Sequence, residues 1–369
     1  MIKTIGILTS GGDAPGMNAA VVSVARCASV HGIKLVGIKR GYNGVLLKES
    51  KFDMSKINGP EDLTAEDWKA LEPDITELDL ETVLDIADQR GTFLRTARCT
   101  EFVNPEYQRK GAENLRKLGI DALVIIGGDG SFRGARALCN QGINCVGIPG
   151  TIDNDLGYTE ATLGYDTAVN VCVEAVRSIR ATSRSHDRPA VVQVMGRHCG
   201  DIGMRTAIAT GAEMVIVPEM PWNIEDYAAR LSELVAKGNT RATLIICENC
   251  FEKMADFDWR NFLRENGKTV FDGEDLDAHR LAQLLKYKCD GVEARATVIG
   301  YTQRGAQPTA YDSALAFQCG HLAVQLLNKG ITNQCIGVRH GEVFNMPIDE
   351  ALVMKRPFKR ELYDLINTL

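Results

Sequence analysis

The sequence predicts an α/β fold with two Rossmann-like lobes, each a mostly parallel sheet covered by helices. Short apolar runs alternate with helical patterns along nearly all of the 369 residues, which is typical of parallel strands joined by crossover helices. Loops rich in glycine, carboxylates or arginine follow these runs in both halves of the chain. Because open α/β sheets bind ligands beyond the carboxyl ends of their strands, we expect the active site in a cleft between the two lobes.

The lobes are expected to be discontinuous in sequence. The first would comprise residues 1–163 and 304–353, and the second residues 164–303 and 354–369. A ligand held between two such lobes would contact residues that lie far apart in the chain.

Two long polar segments interrupt the alternation, at residues 50–79 and 249–293. In the first, Thr64 and Asp67 have the spacing of a capping box and predict a short helix. The second shows poor periodicity. We interpret both as insertions, and the first as a surface insertion.

Composition and charge exclude several classes of function. The net charge of −6 argues against nucleic acid or an anionic membrane as the main partner. No apolar run approaches membrane-spanning length, and the N-terminus enters a strand without a signal peptide. The eleven cysteines are scattered, which favours reduced thiols and a cytoplasmic location. Cys247 and Cys250 form a lone C-x-x-C pair, which is weak evidence for a metal site.

A glycine-rich turn follows the first predicted strand, residues 5–8, and precedes a predicted helix at 19–28. Gly11 and Gly12 let the backbone approach a ligand closely, as phosphate-binding turns require. The turn lacks the Lys-Ser/Thr of a Walker A loop, and Asp13 replaces the second glycine of G-x-G-x-x-G. An ordinary tight turn between a strand and a helix is the alternative.

A second glycine loop, residues 127–131, follows the strongest strand prediction at 121–126. A helix is expected over 132–139, so the glycines would expose backbone N–H groups at its N-terminus, where a phosphate is favoured. Asp129 lies among them and could hold a divalent cation that bridges phosphate oxygens.

The loop after the strand at 145–149 carries a hydroxyl and two carboxylates. If its backbone stays extended, Thr151, Asp153 and Asp155 lie on one face, because side chains alternate with a period of two. Such a cluster could order a sugar hydroxyl, accept its proton or hold a hydrated metal. A turn rich in Asp and Asn is the alternative.

The second half of the chain continues the alternation. A helix capped by Asp166 is expected first, and a C-terminal helix is expected after residues 354–359. The further predicted strands are at residues 190–195, 214–217, 243–247, 297–299 and 334–338.

Four arginines lie at breaks near strand ends, where guanidinium groups could bind phosphates bidentately: Arg98, Arg188, Arg197 and Arg295. Each one taken alone is more often a solvated surface charge. Together they suit a complex with two phosphorylated ligands. Asp129 would carry Mg²⁺ and Asp153 would act as a base in phosphoryl transfer.

Six motifs occur along the chain, at residues 9–20, 127–131, 149–155, 194–197, 303–305 and 354–359. In these motifs and in their order, the chain closely resembles the bacterial-type 6-phosphofructokinases, the phosphofructokinase A family. The resemblance implies transfer of the γ-phosphoryl of ATP to the 1-hydroxyl of D-fructose 6-phosphate, giving fructose 1,6-bisphosphate and ADP, with Mg²⁺ as cofactor. It also implies a nucleotide-binding first lobe and a sugar-phosphate-binding second lobe.

The resemblance implies a role for each matching residue. Asp153 would be the general base, Thr151 would lie near the transferred phosphoryl, and Arg197 would stabilise the transition state. The implied nucleotide site is Gly12, Arg98, Cys99, Gly128, Asp129, Gly130 and Ser131, with Asp129 at the Mg²⁺. The implied sugar-phosphate site is Thr151, Ile152, Asp153, Arg188, Met195, Gly196, Arg197, Glu248, Arg295, Tyr301 and Arg304. In this family Arg188 and Arg295 would act from a neighbouring subunit, which implies a homo-oligomer, usually a tetramer.

Two glycines predict the phosphoryl donor. Pyrophosphate-dependent members of the family carry Asp at the position of Gly130 and Lys at that of Gly150. Bulk there would collide with the nucleotide, and the lysine would supply positive charge for pyrophosphate. Glycine at both positions predicts ATP, with a diphosphate-dependent phosphotransferase as the alternative.

Two departures from the family concern pH dependence and regulation. Tyr301 stands where many members have histidine, so we expect sugar-phosphate binding with less pH dependence. Val22 replaces an arginine that helps bind the allosteric nucleotide, so classical ADP activation is not implied. A silent sugar-phosphate-binding subunit is a further alternative, although the intact Asp129, Asp153 and Arg197 speak against it. The failed G-x-G-x-x-G spacing speaks against a dehydrogenase.

Overall fold

The apolar runs form two separate β-sheets in the computed structural model, which describes residues 2–290 and 292–368. The strands of these described residues are Thr4–Thr9 (β1), Lys34–Ile38 (β2), Ile75–Glu77 (β3), Ala122–Gly127 (β4), Asn144–Pro149 (β5), Ala190–Val194 (β6), Met214–Ile216 (β7), Thr243–Cys247 (β8), Arg295–Val298 (β9), Gln334–Arg339 (β10) and Glu342–Pro347 (β11). The α-helices are Met17–Val30 (α1), Tyr42–Val45 (α2), Ala65–Leu71 (α3), Leu80–Val83 (α4), Pro105–Lys117 (α5), Asp129–Asn140 (α6), Tyr165–His186 (α7), Asp201–Thr210 (α8), Ile224–Ala236 (α9), Trp259–Glu265 (α10), Ala278–Lys288 (α11), Ala310–Asn328 (α12), Ile348–Val353 (α13) and Arg360–Thr368 (α14).

The chain divides into two compact units. The first contains the chain through Ile152, together with Leu156–Thr167 and Arg304–Arg356. The second contains Asp153–Asp155, Ala168–Gln303 and the chain from Pro357 onward.

The first unit is built on a seven-stranded sheet in the order β11-β10-β5-β4-β1-β2-β3. Its five inner strands are parallel, and only the edge strands β3 and β11 run antiparallel to their neighbours. The inner strands β1, β4 and β5 are buried almost throughout, as expected for strands covered by helices on both faces. Their carboxyl ends are level, because Thr9 pairs with Ile126 and Gly127 pairs with Pro149.

Two helices of this unit approach each other closely. A Cβ built on Gly320 of α12 would lie 2.6 Å from the Cβ of Ser23 on α1, so only glycine permits this spacing. Ser23 Oγ donates to the carbonyl of Phe317 at 2.6 Å. This packing holds α1, which begins directly after the first glycine-rich turn.

The second unit contains a four-stranded, fully parallel sheet in the order β7-β8-β6-β9. Its central strand β6 pairs with β8 on one side and with β9 on the other. The prediction of two mostly parallel sheets surrounded by helices is therefore confirmed.

Several local predictions are wrong. Strands β3 and β11 were not expected, because both are short or half-exposed edge strands without a continuous apolar run. Residues 50–79 are more than a surface insertion, since Leu71 and Ile75 are fully buried in the core. The capping box of Thr64 and Asp67 is present as predicted.

Two helices begin earlier than the sequence indicated. Helix α6 starts at Asp129 and not at residue 132, and α7 starts at Tyr165, so that Asp166 lies in its first turn and does not cap it. Glycine is a poor helix former, so local propensity favours a loop at residues 127–131. The segment 249–293 contains the whole of α10 and α11, and Asp258 and Asp277 cap their N-termini.

Helices with the length and apolarity of a membrane span are absent from the described residues. The eleven cysteines remain as thiols. A hydrogen bond with Cys250, together with burial, raises the pKa of Cys247 well above its ordinary value, so Cys247 does not offer a thiolate to a metal. Among the described residues there is no group of three or more His, Cys, Asp or Glu side chains that could hold a metal ion.

Candidate active site

Three loops of the first unit lie side by side at the carboxyl edge of its sheet, after β1, β4 and β5. Ser10 N–H donates to the carbonyl of Ile126 at 2.9 Å, and Gly150 N–H donates to the carbonyl of Gly127 at 2.9 Å. The parallel register therefore brings together the loops that sequence reasoning assigned to nucleotide phosphates and to the reacting hydroxyl.

The loops after β1 and β4 are in direct contact. Ser131 Oγ donates to the carbonyl of Ser10 at 3.1 Å. A Cβ on Gly127 would lie 2.7 Å from that same carbonyl oxygen, so a side chain there would force the loops apart. Gly11 has φ 93°, a conformation that glycine adopts without strain. The result is a surface built largely from backbone groups, which suits close contact with phosphate.

The first turn of α6 carries four residues assigned to the nucleotide. Gly128 is the N-cap residue and has no side-chain hydrogen bond to the helix, and Asp129, Gly130 and Ser131 follow it. The early N–H groups of a helix lack partners within the helix and favour an anion. The helix begins at Asp129, and Ser131 N–H already donates to the carbonyl of Gly128 at 3.0 Å, so the N–H groups left for a ligand in this turn are those of Asp129 and Gly130.

A buried tyrosine stabilises the first turn of α6. Tyr42 donates to the carbonyl of Ser131 at 2.5 Å and stacks on Phe102 at a ring-centroid distance of 4.3 Å. Burial raises the pKa of the Tyr42 hydroxyl well above its ordinary value, so it remains a donor. Tyr42 was missed in the sequence, where it was only part of a turn after β2.

The predicted magnesium ligand is already paired. Arg133 Nε donates to Asp129 Oδ2 at 2.7 Å, and both side chains are about half exposed. A single accessible carboxylate next to a phosphate-binding turn fits Mg²⁺, which is commonly held by one or two carboxylates together with phosphate oxygens and water. Asp129 would therefore have to exchange Arg133 for the metal.

Arg304 lies against the first glycine turn. A Cβ on Gly12 would lie 2.9 Å from Arg304 Nη1, and the same nitrogen donates to the carbonyl of Asp13 at 2.9 Å. The absence of a side chain at Gly12 thus makes room for this guanidinium. Sequence reasoning assigned Arg304 to the sugar phosphate and Gly12 to the nucleotide, and the structure places them in contact.

Residues 96–99 form another wall of the same turn. Gly11 N–H donates to the carbonyl of Ala97 at 3.3 Å, and Thr96 Oγ1 donates to the carbonyl of Gly11 at 3.0 Å. Arg98 follows and is exposed, whereas Cys99 is only partly exposed. Burial raises the pKa of the Cys99 thiol, so Cys99 is suited to contact and not to nucleophilic chemistry.

The two glycines assigned to donor choice have opposite surroundings. A Cβ on Gly130 meets no heavy atom within 4 Å, so a side chain there would extend into open space. A Cβ on Gly150 would lie 2.9 Å from Ile126 Cγ2 and 3.1 Å from Met17 Cε. In this chain Gly150 is therefore required by packing, while Gly130 is not.

The loop after β5 does not stay extended. Its backbone turns at Asn154, which has a left-handed φ of 52°. The extended backbone on which a common face of Thr151, Asp153 and Asp155 depended is therefore absent from this loop, and the alternative, a turn rich in Asp and Asn, is what the structure shows. Ile152 is fully buried and ends the first unit's share of this loop.

In the second unit, the residues assigned to sugar contacts also share one sheet edge. Met195, Gly196 and Arg197 follow β6, and Glu248 follows β8, with Glu248 N–H donating to the carbonyl of Val194 at 2.9 Å. Tyr301 lies in the short 3₁₀ helix after β9 and is 84% exposed. Since β6 pairs in parallel with both neighbours, all three loops emerge at the same edge.

A buried glutamine joins two of these loops. Gln303 accepts from Met195 N–H at 3.2 Å and from the Cys172 thiol at 3.1 Å, and it donates to the carbonyl of Gly300 at 3.2 Å. Gln303 is completely buried, so it fixes the loop after β6 against the one after β9. Gln303 belongs to the motif at 303–305, but sequence reasoning missed this positioning role.

Gly196 has φ 119°, and a Cβ there would lie 2.5 Å from the carbonyl oxygen of Cys199. Only glycine suits this tight loop. The loop ends at Gly200, whose N–H donates to Glu219 Oε1 at 2.8 Å, and the exposed Arg197 lies at its centre.

Two assigned arginines lie at the opposite edge of this sheet. Arg188 precedes β6 and Arg295 begins β9, so both are at the amino ends of their strands. The five residues of β6 separate the two edges by about 16 Å, at about 3.3 Å per residue. Arg188 and Arg295 therefore do not join Met195 and Glu248 in one site of this unit.

At this amino edge one carboxylate forms ion pairs with three cationic side chains. Glu293 lies 3.1 Å from Arg188, 3.1 Å from Lys286 and 3.8 Å from Arg295, and the hydrogen bond from Lys286 lowers its pKa. An adjoining cavity of about 310 Å³ is lined by Lys268, His279, Ala282, Gln283, Lys286, Glu293, Ala294, Arg295 and Ala296. Sequence reasoning missed Lys286, although it carries a charge close to Arg295.

Comparison with known proteins decides the family. Residues 4–327 match the sequence profile of the family described as PFK, phosphofructokinase. The chain belongs to the phosphofructokinase family. A Clostridium botulinum (strain Loch Maree / Type A3) protein named ATP-dependent 6-phosphofructokinase is 40% identical over 368 residues, covering 100% of this phosphofructokinase and 99% of the relative. The resemblance that the motifs carried is thereby confirmed.

Solved phosphofructokinases share the fold of this one. The structure of phosphofructokinase from Saccharomyces cerevisiae matches with a TM-score of 0.76 and 28% identity, covering 99% of this chain and 50% of the yeast chain. This phosphofructokinase thus spans half the length of the yeast chain. A pyrophosphate-dependent phosphofructokinase from Marinobacter aquaeolei matches with a TM-score of 0.71 at 20% identity, covering 98% and 86% of the two chains. That last likeness concerns the fold alone.

Proposed function

We propose that the protein is an ATP-dependent 6-phosphofructokinase that transfers the γ-phosphoryl of ATP to the 1-hydroxyl of D-fructose 6-phosphate. The observation that carries the proposal is the row of three adjoining loops after β1, β4 and β5, built from backbone groups and glycines. The full-length similarity to the ATP-dependent enzyme of Clostridium botulinum supports the same activity.

The nucleotide phosphates would bind the backbone N–H groups at the start of α6, with Arg98 adding positive charge at the neighbouring wall. Asp129 would hold Mg²⁺ once Arg133 releases its carboxylate. A bound magnesium ion would neutralise charge on the phosphate oxygens. Thr151 follows the adjoining strand; a Cβ on Gly128 would lie 3.6 Å from Thr151 Cβ, so Thr151 is close to the phosphate turn.

Asp153 would accept the proton of the sugar's 1-hydroxyl as its oxygen forms a bond to the γ-phosphorus. The bond between that phosphorus and the β,γ-bridging oxygen breaks, and ADP leaves. Arg197 would stabilise the negative charge that the transferred group carries in the transition state. Met195, Gly196, Glu248, Tyr301 and Arg304 would hold the sugar phosphate.

ATP is favoured over pyrophosphate by the packing at Gly150. The lysine found there in pyrophosphate-dependent members would bring its Cβ to within 2.9 Å of Ile126 Cγ2 in this chain. The open space at Gly130 leaves room for a nucleotide. The two observations concern different loops and support the same donor.

Arg188 and Arg295 would bind the sugar phosphate of a neighbouring subunit in a homo-oligomer, which we propose is a tetramer. Their place at the amino edge of the sheet supports this, because the sugar-binding loops of their own unit emerge at the other edge. Eleven cysteine thiols without a disulfide fit a cytosolic location.

A coupled assay with ATP and with pyrophosphate as donor tests the proposal. We expect turnover with ATP, and we expect Asp153→Ser to lower kcat by about 10²–10⁴-fold, the range for loss of a general base, with ATP binding retained. Asp256→Ser, which removes an exposed carboxylate of the second unit, is the control. Turnover with pyrophosphate alone would favour the diphosphate-dependent enzyme, and no turnover with either donor would favour the silent sugar-phosphate binder.

A further inference from the structure

The C-terminal motif at residues 354–359 has no role in the candidate active site, yet its last residue reaches a buried carboxylate. Lys359 Nζ lies 3.2 Å from Asp201 Oδ1 and 3.3 Å from Asp201 Oδ2. Asp201 is only 3% exposed, and an uncompensated buried charge is costly. The chain therefore holds this carboxylate in place with a cation supplied by a segment more than a hundred residues away in sequence.

The same carboxylate binds the loop that carries the proposed base. Asn154 Nδ2 donates to Asp201 Oδ2 at 3.0 Å, and Asn154 is 1% exposed. Asn154 directly follows Asp153 and has a left-handed backbone. Because Asn154 is the residue at which the loop turns, fixing its side chain fixes the direction in which the peptide of Asp153 enters the turn.

Asp201 also borders the loop that carries Arg197. It is the first residue of α8 and lies four positions after Arg197, immediately beyond the glycine that Glu219 binds. One buried carboxylate thus connects the base loop, the end of the arginine loop and the C-terminal segment. All of these residues belong to the second unit.

We propose that Asp201 and Lys359 are positioning residues for phosphoryl transfer, and that they set the placement of Asp153 through the side chain of Asn154. The inference rests on the proposed function, in which Asp153 is the base and Arg197 stabilises the transition state. Lys359 neutralises Asp201, Asp201 orients Asn154, and Asn154 holds the turn. The conformation of the base loop consequently depends on docking of the C-terminal segment.

The proposal is tested with full-length Lys359→Met, Lys359→Arg and Asn154→Gly proteins. Glycine also adopts the left-handed backbone of residue 154, so this variant keeps the turn accessible and removes the side chain whose amide binds Asp201. Displacement of a reacting group by about 1 Å costs about 10²-fold in rate, so we expect kcat to fall by about 10–100-fold in Lys359→Met and Asn154→Gly. ATP affinity, which depends on the first unit, should stay within about two-fold. Lys359→Arg keeps the charge and should recover most of kcat.

Arg360→Met is the matched control, because it removes the next cation, which binds Asp364 on the surface of α14 and does not contact Asp201. Wild-type kcat in Lys359→Met would overturn the proposal. So would a loss of kcat accompanied by an equal loss of ATP affinity and a lower Tm, since that result indicates general destabilisation.

An exchange of charge separates positioning from folding more directly. Asn154→Asp alone places two carboxylates in contact and should lower kcat. Adding Asp201→Asn restores a hydrogen bond between the two positions, now with residue 201 as donor and residue 154 as acceptor. If the two substitutions acted independently, the kcat of the double variant would follow from multiplying the two single-variant effects. We expect the measured kcat to be higher than that value by about ten-fold or more. Simple multiplication of the two effects would overturn the proposal.

Failure of this inference and failure of the proposed function give different results. If Asp153→Ser is inactive and Lys359→Met is fully active, only the positioning role is wrong. If Asp153→Ser keeps wild-type turnover, the assignment of the base is wrong.

Discussion

Substituting alanine for Gly150 and, separately, for Gly130 tests the packing argument for the phosphoryl donor. At Gly150 the new methyl group would lie 2.9 Å from Ile126 Cγ2 and 3.4 Å from the backbone nitrogen of Gly127. Ile126 is fully buried in a central strand, and its β-branched side chain has little rotamer freedom, so it cannot easily move away. Overpacking of this kind costs about 1–3 kcal/mol.

At Gly130 the methyl group meets nothing within 4 Å and lies in the first turn of a helix, where alanine is favoured over glycine by up to about 1 kcal/mol. We therefore expect Gly150→Ala to lower Tm by roughly 1–4 °C and Gly130→Ala to leave it equal or slightly higher. Thermal unfolding of both variants beside the wild type measures this difference.

The same pair of positions makes a prediction about the donor. Gly130→Asp should fold normally and lose activity with ATP, while Gly150→Lys should lose stability before any change of donor can be seen. Coupled assays with ATP and pyrophosphate, run at a temperature at which each variant is folded, give the readout. A Gly150→Ala protein as stable as the wild type would refute the reasoning, because its neighbours could then also accept a lysine.

Three further outcomes are expected. Arg133→Met removes the ion pair of Asp129, an exposed pair one helical turn apart that contributes about 0.3–0.5 kcal/mol. In a magnesium titration, half-maximal activity should therefore need about two-fold less Mg²⁺. An increased Mg²⁺ requirement would show that Arg133 does not compete with the metal for Asp129. Lys286→Met leaves Glu293 paired with Arg188 and Arg295. The KM for fructose 6-phosphate should then rise about three-fold or more, with the KM for ATP unchanged. Lys288→Met, which removes a lysine paired with Glu225, should change neither KM. Burial raises the pKa of Asp312 to about 6. Between about pH 4 and pH 6 the folded state therefore binds this proton more tightly than the unfolded chain does. Proton binding contributes about 3 kcal/mol to the free energy of unfolding. This contribution is complete at the acid end of the range and is lost as the pH rises. Asp312→Asn should remove that slope from urea unfolding midpoints measured at pH 4, 5 and 6, and an unchanged slope would show that Asp312 does not cause it.

Much of the fold could be predicted because its central strands are continuous apolar runs. Strand β8 has the predicted bounds, and the ends of β1, β4 and β5 lie within one residue of those predicted. The edge strands β3 and β11 escaped prediction, since an edge strand can be short and half-exposed while its backbone pairing alone stabilises it.

The phosphate-binding turns were also visible in the sequence, because paired glycines directly after an apolar strand indicate a tight turn whose backbone a ligand can approach. The start of α6 was not, since the helix begins on Asp129-Gly130, a pair that local propensity assigns to a turn. A tertiary contact stabilises the helical turn there, because the buried Tyr42 hydroxyl donates to the carbonyl of Ser131.

The sequence by itself determined the family, the alternation of strands and helices, and which residue types stand after each strand. The tertiary structure alone decided which of those residues meet. It turned the chain at Asn154, where the sequence left an extended loop and an Asp- and Asn-rich turn both open, and it set Arg188 and Arg295 at the edge of the sheet opposite Met195 and Glu248. It also joined Asn154, Asp201 and Lys359. The physical reason is that hydrogen bonds and ion pairs between distant segments depend on strand order and packing, which no local pattern encodes.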